Sequence, residues 1–345
     1  MPDTGPSLAT LINAFADQTT ADLSHVTTDR ASLAALAARV NALGGTPVGS
    51  PNTATMPDGE VISLSATMLV PPGSTFTSDL DLSAQSGGLV KDAVFNGCGV
   101  IINPSAPPDF VGCTWNNTPS RGSNGSAIAG NGQQGGRIIN GVFNNVQGSV
   151  LGSFGWNGVR VLCSSFINPN QVWSMDTGSN GADGNNIEFG WIYVTGEGRG
   201  GLETGGDTTP GVGQVFNGLY VHDSIFVDLG LQEVNAIDAI SFVARGQKGT
   251  RMLRNFFRLG STYGPGNVQM IEMSITPGQG TAAVIDGNTF LDITNGLCYT
   301  DSGGVPSVVT NNMTFNCAQV LDAANGNTVL ATRPSDPVPQ TALIA

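Results

Sequence analysis

Positive charge is scarce in this chain. Only 11% of its 345 residues are charged, 13 bases stand against 26 acids, and just two of the bases, Lys91 and Lys248, are lysines. A net charge of −13 without clustered Lys and Arg disfavours duplex DNA, RNA backbones and anionic membranes as partners, because phosphates demand such clusters. It also disfavours a strongly anionic polysaccharide. Five cysteines (Cys98, Cys113, Cys163, Cys298, Cys317) make an odd count with no CxxC spacing, so neither a disulfide framework nor a zinc site is expected, and buried free thiols are. The start, MPDTGPSLATLINAF, lacks a basic region and an unbroken apolar run, so no secretory signal is read there. No stretch reaches the ~20 apolar residues of a membrane span, and membrane insertion is not expected. A phosphate-binding loop and an Asp-rich calcium loop are both missing; no cofactor and no metal are expected.

What is abundant is glycine, with 48 residues, while aromatics make up only 7%. There is no collagen-like period, and 40% apolar content argues against disorder. Short strands joined by tight turns fit this composition, since Gly and Asn tolerate positive φ. The fold class expected is all-β.

Residues 7–43 differ from the rest in containing neither Gly nor Pro. With Ile12 as position a, the a-positions are Ile12, Thr19, Val26, Leu33 and Val40, and the d-positions are Leu8, Phe15, Asp22, Asp29, Leu36 and Leu43. Eight of these eleven are apolar, which is a heptad seam, and Gly44 and Gly45 end it. The seam predicts an α-helical coiled-coil neck over residues 1–45; an amphipathic helix lying against the body is the alternative. Residues 46–60 read as a linker rich in Gly, Pro, Ser and Thr.

From residue 61 a local signature recurs, an alternating apolar stretch followed by an aromatic. The anchors Phe95, Trp115, Phe143, Phe166, Tyr193, Phe226, Phe257, Phe290 and Phe315 are spaced by 20, 28, 23, 27, 33, 31, 33 and 25 residues. A loose repeat of this length, built of short strands, is a solenoid signature. A parallel β-helix over residues 61–331 follows, with coils ~4.8 Å apart, inward aromatics stacked coil on coil and Asn ladders in successive turns. A β-sandwich or jelly roll is the rival architecture. RPSDPVPQTALIA leaves an extended tail over residues 332–345.

The heptad segment, the Gly/Pro linker, the Gly/Asn-rich coils and the stretch MLVPPGSTF together resemble a bacteriophage tailspike. More broadly they are similar to the right-handed parallel β-helix proteins of the pectate-lyase-like group. The resemblance implies a single-stranded right-handed parallel β-helix and a homotrimer attached to a virion through its amino-terminal region. It further implies a chain made in the host cytoplasm that acts outside the cell on a host surface polysaccharide. No carboxy-terminal trimerisation domain is recognisable in the residues after the last coil, which departs from the pattern of larger spikes.

Candidate site residues come from an apolar–acidic dipeptide that recurs beyond the anchors: Met175-Asp176, Leu202-Glu203, Ile237-Asp238 and Ile271-Glu272. If the apolar member points inward, the acids form an outer stripe. Carboxylates on neighbouring coils suit either sugar hydroxyls or glycoside hydrolysis, which needs about 5–5.5 Å between them for retention or 6.5–9.5 Å for inversion. Glu203, Asp238 and Glu272 are the candidate catalytic triplet of a glycoside hydrolase; a solvated face is the plain alternative. Asp176, Trp191, Glu197, Arg199, Asp207 and His222 are candidate substrate-binding residues. Glu197, Arg199 and Asp207 flank Glu203 within VTGEGRGGLETGGD, and His222 stands beside Asp223, where it reads as a surface hydrogen-bonding residue. The function expected is a virion spike or fibre protein that recognises host glycan. A polysaccharide depolymerase is the alternative, and a secreted polysaccharide lyase comes after it.

Overall fold

The computed structural model describes residues 52–119, 126–129, 134–152, 157–176, 184–196, 200–205, 215–229, 237–244, 246–259, 268–275, 281–293, 296–301 and 307–345. The chain divides into residues 1–50 and 51–345. The neck read over residues 1–45 lies outside the described residues.

Among the described residues every regular element is a strand, apart from one 3-10 turn at Ala323–Asn325. Three long parallel sheets run through the second unit, visited in rotation, and a fourth of three short strands joins Gly184–Asn185, Val215–Asn217 and Gly246–Lys248. The first holds nine strands from Leu80–Leu82 to Gly296–Asp301, the second nine from Leu89–Lys91 to Val308–Thr310, and the third eleven from Thr75–Phe76 to Thr328–Val329. Each strand pairs in parallel with its counterpart one coil earlier and one coil later, as in Val142↔Thr114 and Val142↔Ser165. The body is therefore a parallel β-helix.

Two residues join the second sheet to the third in every coil. The first of them has positive φ: Asp92, Gly112, Asn140, Cys163, Trp191, Asp223, Arg254, Gly287 and Asn311 form a column of nine. Six of the nine are Asn, Asp or Gly, which adopt the left-handed conformation at least cost. Cys163, Trp191 and Arg254 adopt it too, held by the coils on either side. The second corner residue points inward. In the later coils it is Asn255, Asn288 and Asn312, buried, with each Nδ2 donating to the Oδ1 of the next and the series ending on Asn327. The expected Asn ladder is thus present inside the body. Others run outside, through Asn96, Asn116 and Asn144 and through Asn157, Asn185 and Asn217.

The aromatic stack is also present, with two corrections. In register, the inward column of the third sheet is Phe76, Phe95, Trp115, Phe143, Phe166, Val194, Phe226, Phe257, Phe290 and Thr314. Ring centroids stand 4.4–5.2 Å apart from Phe76 to Phe166 and 5.1 Å apart from Phe226 to Phe290. Tyr193 and Phe315, read as anchors, belong one position away. With a side-chain period of two, a one-residue offset changes faces, and both pack outside, with Ile225, Val227, Phe256 and Leu291.

A second correction concerns the start. Val61–Ser63, read as the opening of the rod, pairs antiparallel with Thr53–Thr55 from the stretch read as linker. Leu343–Ile344 pairs with the other side of Thr53–Thr55, so the tail returns to the amino-terminal side of the body. Ala54, Met56, Ile62, Leu64 and Ala342 bury themselves on outward apolar residues of the second sheet and its corner, including Leu89, Val111, Ile139, Leu162, Cys163 and Trp191. Asn140 locks the tail by a reciprocal pair, Nδ2 donating to Ala342 O (2.9 Å) and Oδ1 accepting from Ala342 N (2.8 Å).

Candidate functional site

The cover formed by the hairpin and the tail stops at Trp191, and there a cavity of about 470 Å3 opens on the outer face of the second sheet. Three segments meet around it. The hairpin turn supplies Pro57, Asp58 and Glu60; the coils supply Glu188, Trp191, Tyr220, His222, Asp223 and Arg254; the tail supplies Gln340.

Strand alternation places these residues. Phe189 and Val221 point into the body and are fully buried, so Glu188, Gly190, Tyr220 and His222 face outward in adjacent coils. His222 stands in register with Gly190, and its ring fills the space that a side chain there would take: a Cβ on Gly190 would lie 2.6 Å from His222 Nε2. Trp191 meets the imidazole edge-on at 4.6 Å and Tyr220 stacks on it at 4.1 Å. The guanidinium of Arg251 covers Tyr220 at 4.5 Å.

The polar groups form one alternating row. Glu60 accepts two hydrogen bonds from Arg160 (2.9 and 2.6 Å), which donates from Nε to Glu188 at 2.5 Å. Glu188 Oε1 lies 3.0 Å from His222 Nε2, and Asp223 Oδ2 lies 2.8 Å from His222 Nδ1. Asp223 closes the row by accepting two bonds from Arg254, at 2.8 and 2.6 Å. An imidazole with a carboxylate at each nitrogen is satisfied at both only as the imidazolium, which donates twice.

The pKa directions agree. Burial pushes His222 down, but its hydrogen bonds to Asp223 and Glu188 outweigh that and raise it. Burial pushes Glu188 up, and the bonds from His222 and Arg160 hold it below the usual carboxylate range. Asp223, opposed by burial and held by His222 and Arg254, sits at about 2. As acids such groups are poor reagents, and each carboxylate already accepts from two cations. A general acid needs a raised carboxyl pKa, and a general base needs a free lone pair. Neither Glu188 nor Asp223 has the first, and the doubly engaged imidazolium lacks the second. What the arrangement offers is a fixed array of donors and acceptors. With His222 charged, three cations balance three anions along the row, leaving Asp58 as the lining carboxylate outside it. Among the described residues, no three His, Cys, Asp or Glu side chains converge as a metal site.

His222 is thus the candidate that the fold brings to a cavity, and it is 3% exposed instead of lying free on the surface. Trp191 lines the same cavity but, at 6% exposure, serves as wall and not as an open platform. Glu197, Arg199 and Asp207 lie outside the described residues. For Asp176, Glu203, Asp238 and Glu272 only the backbone placement is described, and it differs from a single stripe. One row of the first sheet runs Ser174, Glu203, Ser241, Glu272, Tyr299, so Glu203 and Glu272 share it two coils apart. Asp238 lies three residues before Ser241, in register with Gln269, and Asp176 is level with Gly205. Two of the four apolar–acidic dipeptides, Leu202-Glu203 and Ile271-Glu272, keep coil register, while Met175-Asp176 and Ile237-Asp238 do not, because coils of unequal length shift the phase.

The sequence reading missed Asp58, Glu60, Arg160, Glu188, Asp223, Arg254 and Gln340. Part of that signal was available, since Arg137, Arg160, Glu188, Tyr220 and Arg251 open successive strands of the second sheet in one row. Glu60 and Gln340 arrive from the two ends of the body, and no local pattern marks them.

Fold and site together define a parallel β-helix with a polar cavity on its outer face. No known protein family matches the chain, and no curated protein is similar to it. Among solved structures it is similar to two trypsin-treated variants of QnrB1, a plasmid-mediated fluoroquinolone resistance protein. The identities are 12% and 8% and the TM-scores 0.25 and 0.22, each match covering 75% of this chain and 92% of the other. Likeness at that level carries no argument about the site, and the fold rests on the strand pairing described above.

Proposed function

We propose that this chain is the glycan-recognising rod of a virion spike or fibre and that it binds sugar without cleaving it. The observation that carries the reading is the cavity: a pre-ordered row of guanidinium, carboxylate and imidazolium groups in which every carboxylate of the row already accepts from a cation. Fixed planar donors and acceptors beside aromatic walls suit neutral hydroxylated ligands. In this reading the amino-terminal heptads form a coiled-coil neck that joins three copies and attaches them to the virion. The coil is right-handed, as in the proteins the sequence resembles. The test is binding of the full chain to surface polysaccharides of candidate hosts, with Arg254→Ala and Asp58→Asn compared. A tenfold or greater loss of affinity in either variant, with no new reducing ends from the wild type, is the expected result. Binding that both substitutions leave unchanged removes the cavity from the reading.

The shared row of Glu203 and Glu272 favours a second reading, a depolymerase. Two strand spacings are ~9.6 Å, close to the upper limit of about 9.5 Å for an inverting pair. Release of reducing ends by the wild type, abolished by Glu203→Gln and by Glu272→Gln, would establish it. Release that survives either substitution would sink the pairing.

A further inference from the structure

We propose that the outer face of the small antiparallel sheet, Thr53–Thr55 with Val61–Ser63 and Leu343–Ile344, is the surface through which the β-bodies of neighbouring copies meet. The inference rests on the oligomeric reading above, and it assigns to that reading a contact outside the neck.

Thr55 pairs with Val61 on one side and with Leu343 on the other, so the three residues form one transverse row. The alternate row, Ala54 with Ile62 and Ile344, faces the second sheet; Ala54 and Ile62 are buried and Ile344 packs against the same cluster. On a sheet with one solvated face, the outer row ought to be polar. Thr53, Thr55 and Ser63 keep to that, but the two ends of the Thr55 row are apolar, Val61 being 61% exposed and Leu343 74% exposed.

Charge points the same way. The outward residues are Thr53, Thr55, Val61, Ser63 and Leu343, none of them charged, on a chain of net charge −13. Copies that repel one another elsewhere can approach at such a face. The edge strands hold only three and two residues, too short for a useful strand addition, which leaves the face itself as the contact.

Chain connectivity selects the occupant. The heptad seam ends at Leu43, nine residues before Asn52, and Thr53 begins the central strand of this sheet. Nine extended residues reach at most ~32 Å. Necks that associate therefore hold the small sheets of their copies close together, at an effective concentration where a modest apolar patch is enough. The two ends of the row differ, Val61 at one and Leu343 at the other. A ring around a threefold axis needs two unlike patches in that way, each copy offering Val61 to the Leu343 of the next.

The test uses the full chain carrying Val61→Cys and Leu343→Cys together. Within one copy these positions lie two strands apart, ~9.6 Å, beyond the ~7 Å that a disulfide spans, so bonds form only between copies. Mild oxidation is expected to give covalent dimers and trimers on a non-reducing gel. Val61→Cys with Val338→Cys, an exposed pair off the row, is expected to give none. Val61→Asp with Leu343→Asp should raise the dissociation constant at least tenfold in sedimentation while leaving the β-sheet circular dichroism unchanged. An oligomer that forms no cross-link and ignores the aspartates overturns this contact and leaves the neck standing. A wild type that is monomeric throughout overturns both.

Discussion

Gly190→Ala is a small change with a large consequence if the imidazolium row is built as described. A Cβ at that position would stand 2.6 Å from His222 Nε2, 2.7 Å from Cε1 and 3.2 Å from Leu162 Cδ2. Ordinary contact begins near 3.4 Å, so the ring must retreat by about 0.8 Å (3.4 less 2.6). It has little freedom to do so, with Trp191 at its edge and Tyr220 on its face. The Nε2–Glu188 bond, 3.0 Å long, is the contact that gives way. A hydrogen bond to a charged group contributes about 1.5–3 kcal/mol. Glu188 keeps its bonds to Arg160, which holds the loss toward the lower half of that range. Replacing Gly by Ala restricts the unfolded chain and returns about 0.5 kcal/mol. The expected net destabilisation is ~1.5 kcal/mol, read from urea unfolding of the full chain. The decisive comparison is a double-mutant cycle with His222→Ala. Once the ring is gone, Gly190→Ala should be neutral or slightly stabilising. An equal cost in both backgrounds would refute the packing of His222 over Gly190.

Two further outcomes follow from the same geometry. A histidine whose folded pKa is raised stabilises fully below its unfolded value of about 6.5 and ceases to do so as pH rises through the folded value. Glu188 and Asp223 are shifted the other way, so their contribution is present above the normal carboxylate range and fades in acid, for Asp223 through about 2. Stability should therefore fall on both sides of neutrality, and His222→Gln should flatten the alkaline side; an NMR titration that places His222 below 6.5 would contradict it. In the inner ladder, Asn288 accepts from Asn255 N and Nδ2 and donates to Met252 O and Asn312 Oδ1. Asn288→Ala orphans those buried partners and should cost ~3 kcal/mol or more, measured by urea unfolding; a cost below ~1 kcal/mol would mean that the ladder is incidental.

The sequence carried the periodic part of this protein. Gly and Asn abundance, the loose 20–33-residue spacing of aromatics and the alternation of short apolar stretches are local features. A solenoid repeats local features, so they were enough for an all-β parallel β-helix with stacked aromatics and Asn ladders. They failed where a single position matters. Tyr193 and Phe315 stand one position from Val194 and Thr314 of the inward column, because composition fixes the coil while pairing fixes the register. Asp176 and Asp238 leave the row of Glu203 and Glu272 for the same reason, the phase shifting whenever a coil lengthens.

Tertiary structure alone decided the cavity. Arg160 and Glu60 are 100 residues apart in sequence and joined by two hydrogen bonds; Asn140 and Ala342 are 202 apart and joined by two more. Contacts of that kind arise because the hairpin and the tail pack on the outer face of successive coils, from Leu89 to Trp191, and no local repeat encodes that packing. His222 shows the difference most plainly. The sequence offered a histidine beside an aspartate, an exposed and ordinary pair. Only the coil below, contributing Gly190 and Glu188, with Tyr220 beside it and Trp191 at its edge, turns it into a buried cation between two carboxylates.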